Sequence, residues 1–84
     1  MSEQEIFTQL VAIIHEAMPE TRTENITMDS VINRDIGVDS MNFIMIICKV
    51  EAQFGIRIPD KVWTKLTTMR ETVNAVKTLM DKKQ

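Results

Sequence analysis

Two pairs of residues, Asp29–Ser30 in TMDSVIN and Asp39–Ser40 in RDIGVDSMNF, set a hydroxyl beside a carboxylate. His15 and Cys48 are the other side chains with reactive potential. A serine nucleophile needs a base within hydrogen-bond reach and a further group to orient that base. The only histidine, His15, lies in the middle of an apolar-periodic segment, where a lone histidine reads as a surface residue. No third group accompanies it, so a hydrolase is excluded. Cys48 has no neighbour in sequence that would depress its pKa, and it reads as an inert helix residue. One cysteine makes no internal disulfide, and no Cys/His cluster suits a metal.

Ser40 has a second use. It stands at the start of an apolar run, three residues after Gly37, which lets the chain turn sharply. The first N–H groups of a helix lack partners and point outward, so a phosphate on Ser40 would be favoured there, by about 0.3–1 kcal/mol at an exposed position. Asp39 can cap the same helix, and its carboxylate can hold a cation for an enzyme that modifies Ser40. The residues alone leave two readings open: Asp39 and Ser40 as caps only, or Ser40 as an attachment point.

The elements that must position this segment are helical. Ser2 and Glu5 form a capping box ahead of Ile6, Leu10, Ile13, Ile14 and Ala17, which recur at helical spacing with Val11 beside them; Pro19 ends the run. Residues 19–38 show no sustained period, an unusual length for a connection in so small a chain. Ile26, Met28, Val31, Ile32 and Ile36 can pin it to the helices, and Asp29–Ser30 is expected to cap a single turn of Val31 and Ile32. A second helix runs from about Ser40 to Phe54, stopped by Gly55. Ile58 precedes proline and reads as extended. Pro59 or Asp60 opens a short helix to about Lys65. Thr68 and Glu71 form another capping box for a last helix through Val73, Val76, Lys77, Leu79 and Met80, with fraying at DKKQ. Nothing reads as a strand. Apolar stripes on separate helices must bury one another, so a small all-α bundle is the economical fold.

With 84 residues the chain reads as one domain, spanning 1–84. A domain of this size buries about 60–65% of its unfolded surface, which leaves no room for a deep cleft beside a core. Any chemistry then sits at the surface or on something attached. MSEQEIF does not read as a signal peptide, because its apolar residues are interrupted and no small-residue cleavage site follows, so none is expected. The run Met41–Cys48 is far short of the ~20 residues that span a bilayer. A cytoplasmic protein without stable membrane insertion is expected. Residues 1–39 carry eight acids and two bases, net −6; residues 40–84 carry four acids and eight bases, net +4. No basic run is interleaved with aromatics, which argues against nucleic-acid binding.

The second helix has apolar residues to spare. On a wheel at 100° per residue, Phe43, Ile46, Ile47, Val50 and Phe54 make a core face, while Met41, Met45, Cys48 and Ala52 fall opposite, where charges are usual. Either this helix is buried nearly all round, or its methionines wait for a partner, a role that their flexible thioethers suit.

Asp35-Ile36-Gly37-Val38-Asp39-Ser40-Met41 resembles the 4′-phosphopantetheine attachment motif of acyl carrier proteins. ITMDSVINRDIGVDS is similar to that family's approach segment, and KVEAQFGIRIPD to the end of its second helix and the following loop. The likeness covers nearly the whole chain and keeps the family's spacing. It implies a four-helix bundle with a long first loop and a short third helix. It also implies that a phosphopantetheinyl transferase, using magnesium, moves the arm from coenzyme A to Ser40. The thiol of the arm would carry acyl groups as thioesters to acyl-loading and acyl-accepting enzymes, and the protein itself would catalyse nothing. Asp29–Ser30 lacks the preceding glycine and opens no long helix, so it is the decoy.

Departures from the family point to specialised partners. Fatty-acid carriers usually bear carboxylates on the second helix; here residues 40–65 hold Glu51 and Asp60 against Lys49, Arg57, Lys61 and Lys65, net +2. Met41, Asn42, Met45, Cys48 and Lys49 stand where the acidic face would be. Together with Lys61 they suggest more apolar or acidic partners, in secondary metabolism or lipid modification. Ile58, Val62 and Trp63 are candidates for partner or acyl contact, and Trp63 is expected to pack beside the short third helix. A free, monomeric carrier is the expectation. The alternatives are an aminoacyl or peptidyl carrier, whose motif more often has a second glycine and a histidine or aspartate before the serine, and a helical interaction module without the arm.

Overall fold

The computed structural model describes residues 1–82. Its helices are α1, Glu3–Ala17; α2, Ser40–Phe54; α3, Asp60–Trp63; and α4, Met69–Lys82, with a 3-10 turn at Thr23–Asn25 in the first connection. The architecture is an all-α bundle, and the described residues form no β-sheet; one isolated antiparallel bridge joins Val31 and Thr68. Asp81 and Lys82 are helical, so the fraying expected at DKKQ does not begin there; residues 83 and 84 lie outside the described residues.

Local chemistry sets each boundary. The Glu5 N–H donates to Ser2 Oγ at 3.1 Å, and the Ser2 N–H donates to Glu5 Oε1 at 2.9 Å. The Ser2 backbone N–H, with its hydroxyl, holds the Glu5 carboxyl below its ordinary pKa. Thr68 and Glu71 repeat the arrangement at the start of α4. Gly55 closes α2 at φ 64°, ψ 37°, a left-handed conformation in which a side chain costs energy. The short α3 ends at Trp63, not near Lys65, and Pro59 is its N-cap.

The core lies where α1, α2 and α4 face one another. Ile6, Leu10, Ile47, Val50, Met69, Val73 and Val76 are all but fully buried. The buried Thr72 hydroxyl donates to the Thr68 carbonyl at 3.0 Å, so it leaves no unpaired polar group inside.

The long connection is anchored, both by apolar residues and by hydrogen bonds to the segment that opens α4. Ile26, Ile32, Ile36 and Val38 are buried, with Met28 and Val31 half-buried. The Ile32 N–H donates to Thr67 O, Met69 N–H to Ser30 O and Arg70 N–H to Met28 O, at 2.9, 3.1 and 2.8 Å. An exposed Arg70–Asp29 ion pair at 3.1 Å adds to the latch.

The expected cap by Asp29–Ser30 is replaced by a different one. The turn is larger than Val31 and Ile32: it closes with Asp35 N–H on Val31 O at 2.8 Å. Its cap is Asp35, whose Oδ2 accepts from the Val31 N–H at 2.8 Å. The Ser30 hydroxyl is turned back to accept from the Thr27 N–H at 2.9 Å, and Ser30 O is held by α4, so neither can serve the turn that follows.

Candidate functional site

Asp39 is the N-cap of α2. Its Oδ1 accepts from the Asn42 N–H at 2.8 Å, and its carbonyl accepts from the Phe43 N–H at 2.8 Å. The first satisfies one of the four donors left open at a helix start, and the second is the first regular bond of the helix. The N–H groups of Ser40 and Met41 have no protein acceptor. Ser40 is exposed, and its hydroxyl makes no hydrogen bond within the protein. Upstream, Gly37 adopts φ +84° on open space, which turns the chain from the anchored loop into the cap.

The two Asp-Ser pairs are therefore unlike. Ser30 is 8% exposed and its hydroxyl is committed inside the loop. Ser40 presents a free hydroxyl to solvent beside unspent N–H donors and the helix dipole, a setting favourable to a phosphate. Just before it, the turn that leads to Gly37 is tied by Asp35, whose carboxyl is held below its ordinary pKa first by the Val31 N–H and then by Arg34. His15 is on the exposed side of α1, and the described residues contain no group of side chains suited to a metal.

The outer face of α2 is open. Met41 is 82% exposed, Met45 45% and Ile44 50%; Cys48 and Ala52 are exposed too. Of the two readings of this helix, the solvent-facing one holds. The wheel gave no role to Ile44, which widens the apolar strip; it lies between the two predicted faces. Asn42 is half-buried and close to the cap.

Other expected contact residues have different surroundings. Ile58 is 2% exposed and offers a partner no surface: its N–H donates to Glu51 Oε2 at 2.7 Å, and its carbonyl accepts from the Trp63 indole N–H at 2.8 Å. Both bonds draw the segment after α2 inward. Lys49 leans toward α1, with Nζ 3.3 Å from Glu16 Oε1, so its charge is partly answered within the chain. Lys61 is exposed on α3 and Val62 is half-buried. Trp63 belongs to α3 itself and meets Phe43 edge-on, with centroids 6.4 Å apart at 76°.

A groove of about 340 Å³ opens beside Ser40, lined also by Ile32, Asn33, Val38, Asp39, Phe43, Ile44, Thr64, Leu66 and Thr67. Most of these residues carry no signal in the sequence. Asn33 and the Thr64–Thr67 link between α3 and α4 become neighbours of Ser40 only through the loop latch.

The description "phosphopantetheine attachment site" matches residues 8–76 of the chain. An acyl carrier protein from Lactobacillus johnsonii is 35% identical over 77 residues, covering 92% of this chain and 95% of that one. One from Guillardia theta is 29% identical over 76 residues, covering 90% and 93%. In fold, the chain is similar to a hexanoyl acyl carrier protein from the actinorhodin polyketide synthase of Streptomyces coelicolor. The TM-score is 0.79 at 24% identity, over 89% of this chain and 90% of that one.

Proposed function

Since the chain belongs to the acyl carrier protein family, whose members carry acyl groups and do not themselves catalyse, we propose that Ser40 is the residue on which it bears the 4′-phosphopantetheine arm. The observation that carries this reading is the contrast between the serines: one buried and hydrogen-bonded, the other exposed and free. When bound, the arm supplies a thiol on which an acyl group rides as a thioester.

The residues around Ser40 fit that group. Ser40 Oγ is the oxygen that would take the phosphate ester, and the N–H groups of Ser40 and Met41 would hold the phosphate. Asp39 keeps the start of α2 in register through Oδ1, which leaves Oδ2 for the magnesium ion of a phosphopantetheinyl transferase. Gly37 supplies the turn that lifts Ser40 out of the loop. The chain would act as one carrier domain over residues 1–84, in a cytoplasmic setting; no described helix is long and apolar enough to cross a membrane.

The partner face supports a specialised carrier. Met41, Ile44, Met45 and Cys48 offer apolar surface, and Arg57, Lys61 and Lys65, all exposed, follow α2 in the chain. A partner with a basic docking patch gains little here, because the Glu51 carboxylate is spent on the Ile58 N–H. The loading and accepting enzymes would thus present apolar or acidic surfaces, as suits secondary metabolism or lipid modification.

The test is intact mass after incubation with coenzyme A and a broad-specificity transferase. The wild type gains one arm and Ser40→Ala gains none. A gain that survives Ser40→Ala removes Ser40 from the account.

A further inference from the structure

Of the four large apolar side chains left exposed among the described residues, three, Met41, Ile44 and Met45, stand on α2, where a surface helix normally carries charge. Cys48 and Ala52, also exposed, continue the strip. Met41, Met45, Cys48 and Ala52 follow one another at steps of four, three and four. That is the spacing of a coiled-coil seam, the pattern by which one helix receives another.

The strip is complementary to itself. A second copy of α2, set antiparallel against it about a two-fold axis between Ile46 and Ile47, pairs Met41 with Ala52 and Met45 with Cys48. Each long side chain meets a short one, and the symmetry repeats both pairs. At the level of Lys49 stands Ile44 of the second copy, and at the level of Glu51 stands its Asn42, so like charges do not face each other. Asp39, exposed at the start of one α2, comes level with Phe54 at the end of the other, where the exposed Arg57 follows. Opposite charges and opposite ends of the helix dipoles are thereby brought together. A parallel pair would set Met41 on Met41 and Ala52 on Ala52, crowded at one end and empty at the other, with the dipoles aligned.

We propose that the outer face of α2 joins two copies of this chain in a reversible antiparallel dimer. A single helix strip buries less than the roughly 1,200 Å² of a standard interface, so the dimer forms only at high protein concentration. The contact covers Met41, next to Ser40, and uses the apolar surface proposed for the loading and accepting enzymes. Self-association and docking therefore exclude each other. The monomer expected from the sequence is the working form, and the dimer holds chain that those enzymes cannot reach. The dimer itself does not depend on Ser40 being the attachment residue.

The test is sedimentation equilibrium of the unloaded chain from about 10 μM to about 1 mM, the range of weak association, with reductant present to keep Cys48 a thiol. The mean mass is expected to rise toward that of two chains. Met45→Lys and Cys48→Lys, made separately, are each expected to stay at one chain throughout. Ala12→Lys, on the exposed side of α1, is expected to associate like the wild type. Circular dichroism and urea unfolding show which variants are folded. In a mixture of 13C-labelled and unlabelled chains, isotope-filtered NMR is expected to place Met45 beside Cys48 of the second copy and Met41 beside its Ala52. A mass of one chain at about 1 mM overturns the proposal, and so does a dimer that survives either folded seam variant. Contacts from Met41 to Met41 of the second copy would mean a parallel pair and overturn it too.

Discussion

Asp39→Ala removes one hydrogen bond, from the Asn42 N–H to Asp39 Oδ1 at 2.8 Å, and leaves the backbone bond from Phe43 to Asp39 O. Loss of such an N-cap costs about 1 kcal/mol, within about 0.5–2. For a domain of this size that corresponds to a fall in Tm of roughly 4–8 °C. Asp39→Asn keeps an oxygen in the capping position and removes only the charge, so it costs a few tenths of a kcal/mol at most beyond the dipole contribution, about 0.3–1 kcal/mol at low salt. Salt screens the charge and leaves the cap, so the gap between Asn and wild type closes with added salt while the gap between Ala and wild type persists. Urea unfolding followed by circular dichroism, at low and high salt, measures both. If Asp39→Asn is as costly as Asp39→Ala at high salt, the carboxylate acts by some means other than capping. If Asp39→Ala costs nothing, the start of α2 does not depend on it. Transferase loading then separates the roles, since Asp39→Asn is folded but lacks the charge proposed for the magnesium ion.

Gly37→Ala puts a methyl into open space but at φ +84°, so the cost is conformational, about 1–2 kcal/mol, and appears in urea unfolding without any steric change. Met41→Lys alters a side chain that is 82% exposed; stability stays within about 0.5 kcal/mol while acyl transfer from the true partner falls, as partner kinetics would report. Lys61→Glu likewise keeps the fold and weakens transfer to an acidic partner; unchanged transfer would remove this lysine from the docking face. The Asp35 carboxyl is held below its ordinary value of 3.8 in the folded protein. Its contribution to stability is therefore present above that value and is lost as pH falls through the lower folded value. Asp35→Ala should be less stable than wild type near neutral pH, with the gap closing in strong acid, as paired unfolding curves would show.

Much of this fold is legible from contacts within single elements. Ser2 with Glu5, Thr68 with Glu71, and Gly55 after Phe54 are all decided by residues three or four apart, and each is where the sequence puts it. The core face of α2 is legible for the same reason, since 3.6-residue periodicity is a local property. The loop is different. Its order comes from Ser30 and Met28 accepting bonds from Met69 and Arg70, some forty residues away, and no local pattern announces that. The same distance hides the groove, which joins Asn33 to Thr64 and Thr67. The burial of Ile58, which takes it off the partner surface, was not legible because its extended, pre-proline character says nothing of burial, which depends on Glu51 and Trp63 drawing it inward. At the site, the Asp39–Ser40 motif was plain in the sequence, whereas the reason to discount Ser30 became physical only with its burial at 8% exposed.

The central claim is that Ser40 alone bears the arm, and the most direct test is to locate it. Protein loaded from coenzyme A is digested and the modified peptide sequenced by tandem mass spectrometry, with Ser30→Ala and Ser40→Ala in parallel. The account predicts one adduct, on Ser40, retained in Ser30→Ala and absent from Ser40→Ala. An adduct on Ser30, or one that persists without Ser40, would contradict it.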